Sequence, residues 1–262
     1  MALNFIGFPT NSLFQKHSDK TGVSRLRRHF HFFKKSAVCF VLCSGFTTPV
    51  FAGDMVKQGA IQRMNVPILG TTLNRHWEQI GVVAEVQIQF EWRYDHDGLR
   101  IEFQNSPGRF SPLAQQAVQE AIAQVVKASH LDSKSWTVTL TLPYQGLTMY
   151  GESLSGMVGL SVLALAKGDP VPRGRVLTGT ITSNGHIGVV GGVPLKIVAA
   201  YENHLLKVLI PEEIDVADGA WENPFLMVVS PVGTIQKAYH ALTDRSFDNP
   251  PVSLNVSTII AK

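Results

Sequence analysis

Strand and helix patterns alternate through the C-terminal half of the sequence, and this alternation constrains the fold more than any other feature. Apolar or alternating runs predict strands at 136–143, 175–182, 205–211 and 225–231. Helical patterns lie between them at 153–167 and 194–203, and a third follows the last strand at 234–242. Elements in this order bury their apolar faces by packing in two layers. The sequence therefore predicts an α+β (or α/β) domain of two layers.

Upstream of this region, the pattern predicts a hairpin followed by a long helix. Residues 82–92 alternate strictly between apolar and polar side chains, residues 99–103 alternate again, and a polar turn joins them. Ser111 is placed to cap a helix with Pro112 in its first turn. The predicted apolar stripe of this helix comprises Leu113, Ala117, Ala121 and Val125. About 20 residues after Asp54 show no periodic pattern and are predicted to be irregular.

The charge of the chain is unevenly distributed. Residues 1–52 contain seven basic side chains and one acid, whereas the remainder contains 16 basic and 19 acidic residues. Because the remainder is mildly acidic and has no basic stripe, nucleic-acid binding is not expected.

The N-terminal segment has the organisation of an export signal. A basic region leads into a short apolar run, 37–46, and then into Val50-Phe51-Ala52, which resembles a cleavage site. We therefore expect a leader at 1–52, a linker at 53–66 and a periplasmic or extracellular protein; an uncleaved leader would instead anchor the chain to a membrane. Both cysteines, Cys39 and Cys43, lie in the leader, so the exported chain would have no disulfide and no cysteine nucleophile.

Two stretches contain residues of catalytic type. GESLSG places Ser153 at the start of a predicted helix, where unpaired N–H groups can hold a negatively charged oxygen. GGVPLK places Lys196 in the first turn of another helix, where burial and the helix dipole both disfavour the ammonium form. A neutral lysine is able to take the proton that a serine must lose before it attacks a carbonyl. Each residue also has an ordinary explanation, as a helix cap and as a solvated lysine.

Histidine-based and metal-based sites are less well supported by the sequence. His186, His204 and His240 follow Ser153, and Asp215 precedes His240, so a Ser–Asp–His order exists without a recognisable motif. The run Asp95-His96-Asp97 before Gly98 is interpreted as a polar turn. No metal site and no cofactor are expected.

The region from YGESLSG through GGVPLKIVAAYENHLLKVLIPEE resembles the proteolytic domain of the Lon protease family. The match runs without gaps from Ser153 to Lys196, and it includes Gly168, Gly185 and the pair Gly191-Gly192. It extends over about 67–245, which leaves 246–262 as a predicted flexible tail. The resemblance implies the Lon proteolytic fold, with hairpin strands, a helix that carries the nucleophile and a helix that carries the lysine.

By this resemblance Ser153 is the nucleophile, Lys196 is the general base and Thr178 orients the lysine. The strand containing Gly191-Gly192 would help to form the substrate groove. The sequence departs from the family pattern around the nucleophile: Leu154 stands where alanine is usual, and Tyr150 where an acid is common. Glu152 and Ser155 match one branch of the family, and Ser155 is a second, weaker candidate nucleophile.

Lon enzymes usually carry an ATPase, and these 262 residues contain no G-x-x-x-x-G-K-[ST] motif. We therefore expect a stand-alone, ATP-independent serine endopeptidase that hydrolyses unfolded or extended polypeptides. Lon rings suggest self-association, but the ATPase that helps to form the usual ring is missing here, so the oligomeric state is open. The alternatives are a non-catalytic peptide-binding module on the same fold, and a Ser–His hydrolase.

Overall fold

A computed structural model of the chain describes residues 61–224 and 226–248. In this part of the chain the strands are β1 (Ile61–Leu73), β2 (Gln79–Trp92), β3 (Arg100–Phe103), β4 (Arg109–Phe110), β5 (Trp136–Thr141), β6 (Thr148–Met149), β7 (Arg175–Leu177), β8 (Thr180–Ile181), β9 (Ile187–Gly188), β10 (Lys207–Pro211) and β11 (Val228–Val232). The α-helices are α1 (Pro112–Ser129), α2 (Ser155–Lys167), α3 (Val193–Glu202) and α4 (Ile235–Thr243). The mixed sheets and helices confirm the predicted α+β class.

The larger sheet has the strand order β1-β2-β5-β3. Its inner face follows from the alternation in β2, where Val86, Ile88 and Phe90 are buried while Glu85 and Gln87 are exposed. Strand β5 is confirmed as an alternating strand that pairs antiparallel with β2. The predicted strand positions were therefore correct for both elements.

Two predictions about this sheet were wrong. The residues predicted to be irregular, including part of the expected linker at 53–66, form the 13-residue strand β1, which pairs with β2 along its whole length. The expected hairpin between 82–92 and 99–103 does not form either, because β5 lies between β2 and β3 and pairs with β3 in parallel. Alternation identifies a strand, but it does not identify the strand's partner.

The smaller sheet is parallel and has the order β11-β10-β7. Its central strand is almost completely buried, as expected for a parallel strand covered on both faces. The single strand predicted at 175–182 is interrupted at Thr178-Gly179: β7 belongs to this sheet, whereas β8 turns away to pair with β9. Thr178 and Gly179 therefore form a corner between β7 and β8, and the candidate site lies at this corner.

The helices begin and end largely where local chemistry predicts. The Ser111 hydroxyl accepts a hydrogen bond from the Ala114 N–H, the Thr234 hydroxyl accepts one from the Lys237 N–H, and Gly168 ends α2 in the left-handed conformation. The predicted stripe of α1 was wrong at Leu113, which is 48% exposed, and Ala117 is only half-buried; the buried face begins at Ala114 and includes Ala121 and Val125 as predicted. All residues of α2 are buried, which makes it the central helix of the domain.

The predicted flexible tail was wrong for residues 246–248. The Phe247 ring is 5% exposed and packs edge-on against Tyr239, with 5.7 Å between the ring centroids. The buried ammonium of Lys167 donates to the Phe247 carbonyl at 2.6 Å. One aromatic residue in a polar segment gives no periodic signal, so this contact was not predictable from the sequence. The remaining tail residues and the predicted leader lie outside the described residues.

No helix within 61–224 or 226–248 has the length and apolar character needed to cross a membrane.

Candidate active site

Ser153 lies at the junction between a loop and the buried helix α2. It is half-buried and immediately precedes Leu154, the N-cap residue of α2. Two backbone hydrogen bonds join this junction to Gly179. The Gly179 N–H donates to the Ser153 carbonyl at 3.0 Å, and the Gly156 N–H donates to the Gly179 carbonyl at 3.0 Å. A Cβ on Gly156 would lie 2.6 Å from that carbonyl oxygen, so only glycine permits the contact. The serine is thus held against the corner between β7 and β8.

Thr178 occupies the other side of the same corner. Its N–H donates to the Leu209 carbonyl of β10, and the residue is completely buried. Within the described residues its hydroxyl Oγ1 has no hydrogen-bond partner. Because an unsatisfied buried hydroxyl costs free energy, such groups are often found where a structure serves function rather than stability. The structure therefore places Ser153 and Thr178 on either side of Gly179.

Lys196 is the fourth residue of α3, which begins after Gly192 in the left-handed conformation. Its side chain is only 2% exposed. Burial lowers the pKa of Lys196 to about 8, although the nearby Asp218 carboxylate acts in the opposite direction. A substantial fraction of this lysine is therefore neutral near pH 8, which the sequence predicted from burial and the helix start.

Asp218 is a residue that the sequence interpretation missed. One carboxylate oxygen accepts from the Gly192 N–H at 2.7 Å, and the other accepts from the Val193 N–H at 3.0 Å. The carboxylate thereby caps α3 from a short 3₁₀ turn at Val216–Asp218. No local signal identifies this cap, since Asp218 lies far from Gly192 in the sequence. Its negative charge stabilises the start of α3 and also limits how far the pKa of Lys196 falls.

Helix α3 is fixed against the larger sheet by a close backbone contact. A Cβ placed on Gly81 of β2 would lie 1.9 Å from the Leu195 carbonyl oxygen. The helix and the strand therefore approach more closely at this point than any side chain allows. Leu195 directly precedes Lys196, so this contact determines where the lysine lies relative to β2.

The smaller sheet connects the lysine helix with the corner that holds the serine. Val193 and Ile197 of α3 pack in one apolar cluster with Val176 of β7 and Val208 of β10. Strand β7 leads directly into Thr178 and Gly179, and Gly179 binds the Ser153 backbone. Ser153 and Thr178 thus belong to one set of backbone contacts at the end of β7, and α3, the helix that carries Lys196, packs against that strand.

The other predicted site residues have mixed positions. Glu152 is exposed, Leu154 is buried at the start of α2, and Ser155 is buried with a hydroxyl that has no partner in the described structure. Gly191 and Gly192 do not lie in a strand, because β9 ends at Gly188 and the two glycines form the approach to α3. The prediction of a strand at these glycines was wrong, since they form the turn in which the Gly192 N–H is capped by Asp218; their contribution to a substrate groove stays a prediction.

Histidine chemistry finds little support in the geometry. His186 and His204 are exposed, and the His240 Nδ1 contacts the Arg245 carbonyl at 3.2 Å. Asp215 uses its carboxylate to cap the 3₁₀ turn through the Ala217 N–H. Across the described ranges, no hydrogen bond joins a histidine to Ser153 or Asp215, and no group of three or more His, Cys, Asp or Glu side chains is arranged to hold a metal ion.

Comparison with known proteins identifies the region that contains this site. Residues 113–218 match the family of the Lon protease (S16) C-terminal proteolytic domain. This segment belongs to the Lon proteolytic domain family. The match extends from α1 to the 3₁₀ turn, so it includes Ser153, Thr178, Lys196 and Asp218.

Individual relatives are similar over the same part of the chain. A Lon protease of Methanosphaera stadtmanae is 26% identical over 150 residues, which are 56% of this chain and 18% of the relative. An archaeal Lon protease of Archaeoglobus fulgidus is 31% identical over 141 residues, 52% of this chain and 22% of the relative. One from Methanothermobacter thermautotrophicus is 33% identical over 106 residues, 40% of this chain and 16% of the relative. The similarity to Lon proteases thus spans about a fifth of the length of each relative.

Proposed function

We propose that this protein is a Lon-like serine endopeptidase in which Ser153 and Lys196 form a catalytic dyad. The observation that carries the proposal is the buried Lys196, whose pKa of about 8 makes it a base near neutral pH. In the described part of the chain this lysine takes part in no salt bridge. A buried amine without an ion pair is costly to stability, and such groups cluster at functional sites.

The first half of the reaction forms an acyl-enzyme. The neutral Lys196 amine accepts the proton of the Ser153 hydroxyl, and the serine oxygen attacks the carbonyl carbon of the peptide bond. The N–H groups of Ser155 and Gly156 already donate to Glu152 and Gly179, so the N–H groups of Ser153 and Leu154 are assigned to the oxyanion. The Lys196 ammonium then returns its proton to the departing amine as the C–N bond breaks.

The second half releases the acyl group. Lys196, again neutral, accepts a proton from water while the water oxygen attacks the acyl carbon. The bond to Ser153 breaks, the serine oxygen takes the proton back from Lys196, and a carboxylic acid leaves. Thr178 is assigned to positioning, since its unsatisfied hydroxyl lies in the same set of contacts.

The proposed substrates are unfolded or extended polypeptides, and the proposed reaction needs no ATP. Peptide-bond hydrolysis itself consumes no nucleotide, and an extended chain needs no unfolding before it enters the site. The 262 residues contain no Walker A motif. Self-association is proposed only from the resemblance to Lon. Export from the cytoplasm is proposed from the basic and apolar leader at 1–52, which lies outside the described residues.

Digestion of unfolded casein by the purified full chain, with and without ATP, tests this function. Ser153→Ala and Lys196→Met are both expected to abolish digestion, with equal wild-type rates in the two conditions. Ser183→Ala and Lys134→Met are matched controls, because both residues are exposed and distant in sequence from the dyad; these variants should digest normally.

Each alternative gives a different result. Digestion by Lys196→Met would indicate a histidine-based hydrolase, and equal digestion by Ser153→Ala would remove Ser153 from the mechanism. A wild-type chain that binds casein without cutting it would indicate a peptide-binding module. A rate that requires ATP would refute the ATP-independent form of the proposal.

A further inference from the structure

A small cavity is lined by Glu152 and Ser155, which flank Ser153 in the sequence, and is not used by the proposed chemistry. It has a volume of about 180 Å³ and lies between α1, the start of α2 and β8. A cavity of about 150 Å³ holds one benzene molecule, whereas pockets for drug-sized ligands begin at about 300 Å³. The cavity therefore has room for one side chain of a substrate.

The lining of the cavity includes acidic residues but no basic residue. Glu120 and Glu152 line it together with Ser155 and Thr180. Gln116 also lines it, but its amide already donates to Glu120 at 2.9 Å. None of the lining residues is Lys, Arg or His, and none of the salt bridges found within the described ranges involves either glutamate. The cavity thus carries negative charge that the protein does not neutralise.

Ser155 gives independent evidence that the cavity takes a ligand. Its side chain is 1% exposed, it lines the cavity, and its Oγ has no hydrogen-bond partner in the part of the chain that the structure describes. Burying a hydroxyl without a partner is unfavourable, and a polar ligand group that enters the cavity removes this cost. Beside Glu120 and Glu152, the group that fits best is a donor. Cationic side chains carry only donors: three on the lysine ammonium and five on the arginine guanidinium.

We propose that this cavity is a substrate subsite that selects a lysine or arginine side chain next to the scissile bond. This inference rests on the proposed function, because it places the subsite beside Ser153 as the nucleophile. Glu152 and Ser155 flank that residue in the sequence, and Thr180 follows the Gly179 that binds its backbone. The apolar walls, Leu113, Ala117 and Ile181, pack against the methylene stem while the carboxylates bind the charged end.

The test compares three unstructured peptides that carry no other charged side chain and differ at one position, which is lysine, norleucine or glutamate. Norleucine has a linear aliphatic stem without the ammonium group, so it isolates the effect of the charge. The full chain is expected to cleave the lysine peptide with a kcat/KM about fivefold above that of the norleucine peptide, which corresponds to the upper range for a partly exposed charge pair. Mass spectrometry of the products shows whether the cleaved bond adjoins that position.

Variants of Glu152 determine whether the preference comes from this cavity. Glu152→Gln is expected to reduce the lysine-to-norleucine ratio towards one, and Glu152→Lys to favour the glutamate peptide. Glu202→Gln is the matched control, since Glu202 is exposed at the end of α3 and should leave the ratio unchanged. An equal kcat/KM for lysine and norleucine in the wild type, or a ratio that Glu152→Gln does not alter, would overturn the subsite.

A binding measurement separates this inference from the proposed function. Fluorescence anisotropy of the labelled peptides with Ser153→Ala should show the same preference for lysine. If the wild type cuts none of the peptides but Ser153→Ala binds the lysine peptide selectively, the subsite is supported and the endopeptidase function fails. If neither cleavage nor binding favours lysine, the subsite is refuted, whether or not the wild type cleaves the peptides.

Discussion

Raising the pH from 6 to 9.5 should increase kcat/KM about 100-fold, with a midpoint near pH 8. Burial lowers the pKa of Lys196 from 10.5 to about 8, so about 1% of the lysine is neutral at pH 6 and nearly all of it at pH 9.5. At pH 7 the neutral fraction is about 300-fold larger than it would be with an ordinary lysine pKa. The rate should therefore rise tenfold per pH unit between pH 6 and 7 and level off above pH 9.

The assay follows the cleavage of a fluorogenic casein fragment, with circular dichroism at each pH to establish that the fold persists. A rate that is level from pH 6 to 8, or one that bends near pH 6.5 as a histidine base would require, refutes the assignment of Lys196 as the base. Lys196→Arg provides the matched control: it keeps a positive charge that cannot be lost in this range, so it should be inactive at every pH.

Asp218 gives a second check on the same reasoning. Its carboxylate raises the pKa of Lys196 against the larger effect of burial. In Asp218→Asn the charge is removed while one acceptor for the start of α3 remains, so the midpoint of the pH profile should move below 8. A midpoint that stays in place, or moves upward, would show that Asp218 does not act on the lysine through its charge.

Two further predictions concern stability. Lys196→Met should raise the free energy of unfolding at pH 7 by about 3 kcal/mol, because it removes the buried ammonium. The folded-state pKa of about 8 lies below the unfolded value, so the wild type gains stability as the pH rises through this interval. The stability advantage of Lys196→Met should therefore fall below about 1 kcal/mol at pH 10. Urea titrations at pH 7 and pH 10 measure this advantage, and an equal advantage at both pH values would contradict the prediction. Phe247→Ala should lower the free energy of unfolding by about 3 kcal/mol, since it removes a buried ring from Tyr239. Phe247→Leu should lose less than the alanine variant, and an alanine loss under about 1 kcal/mol in urea would show that residues 246–248 do not pack in solution.

Local chemistry determined which structural features could be predicted from the sequence. Ser111 and Thr234 cap helices, and Gly168 ends one, because these roles depend only on a residue and its near neighbours. Strand β1 was missed because its burial does not alternate regularly, and Pro67 and Gly70 interrupt its pattern. The partner of β3 was wrong because strand pairing is decided by elements distant in the sequence.

In the candidate site, too, features that depend on neighbouring residues were predictable, whereas contacts between distant segments were not. The position of Lys196 in the first turn of a helix followed from GGVPLK, whereas its burial was only one of two explanations that the sequence allowed. The cap supplied by Asp218 was not predicted, since it joins two segments that carry no shared pattern. The catalytic roles of Ser153 and Lys196 stay predictions until the variants are assayed.

Gly81 restricts which positions of this domain can be varied in a redesign. Exposed positions of β1 and β2 accept replacement in libraries, but position 81 has to be left out, since even a single methyl group would collide with the Leu195 carbonyl. A library that randomised this position would return glycine or chains in which Lys196 had been displaced.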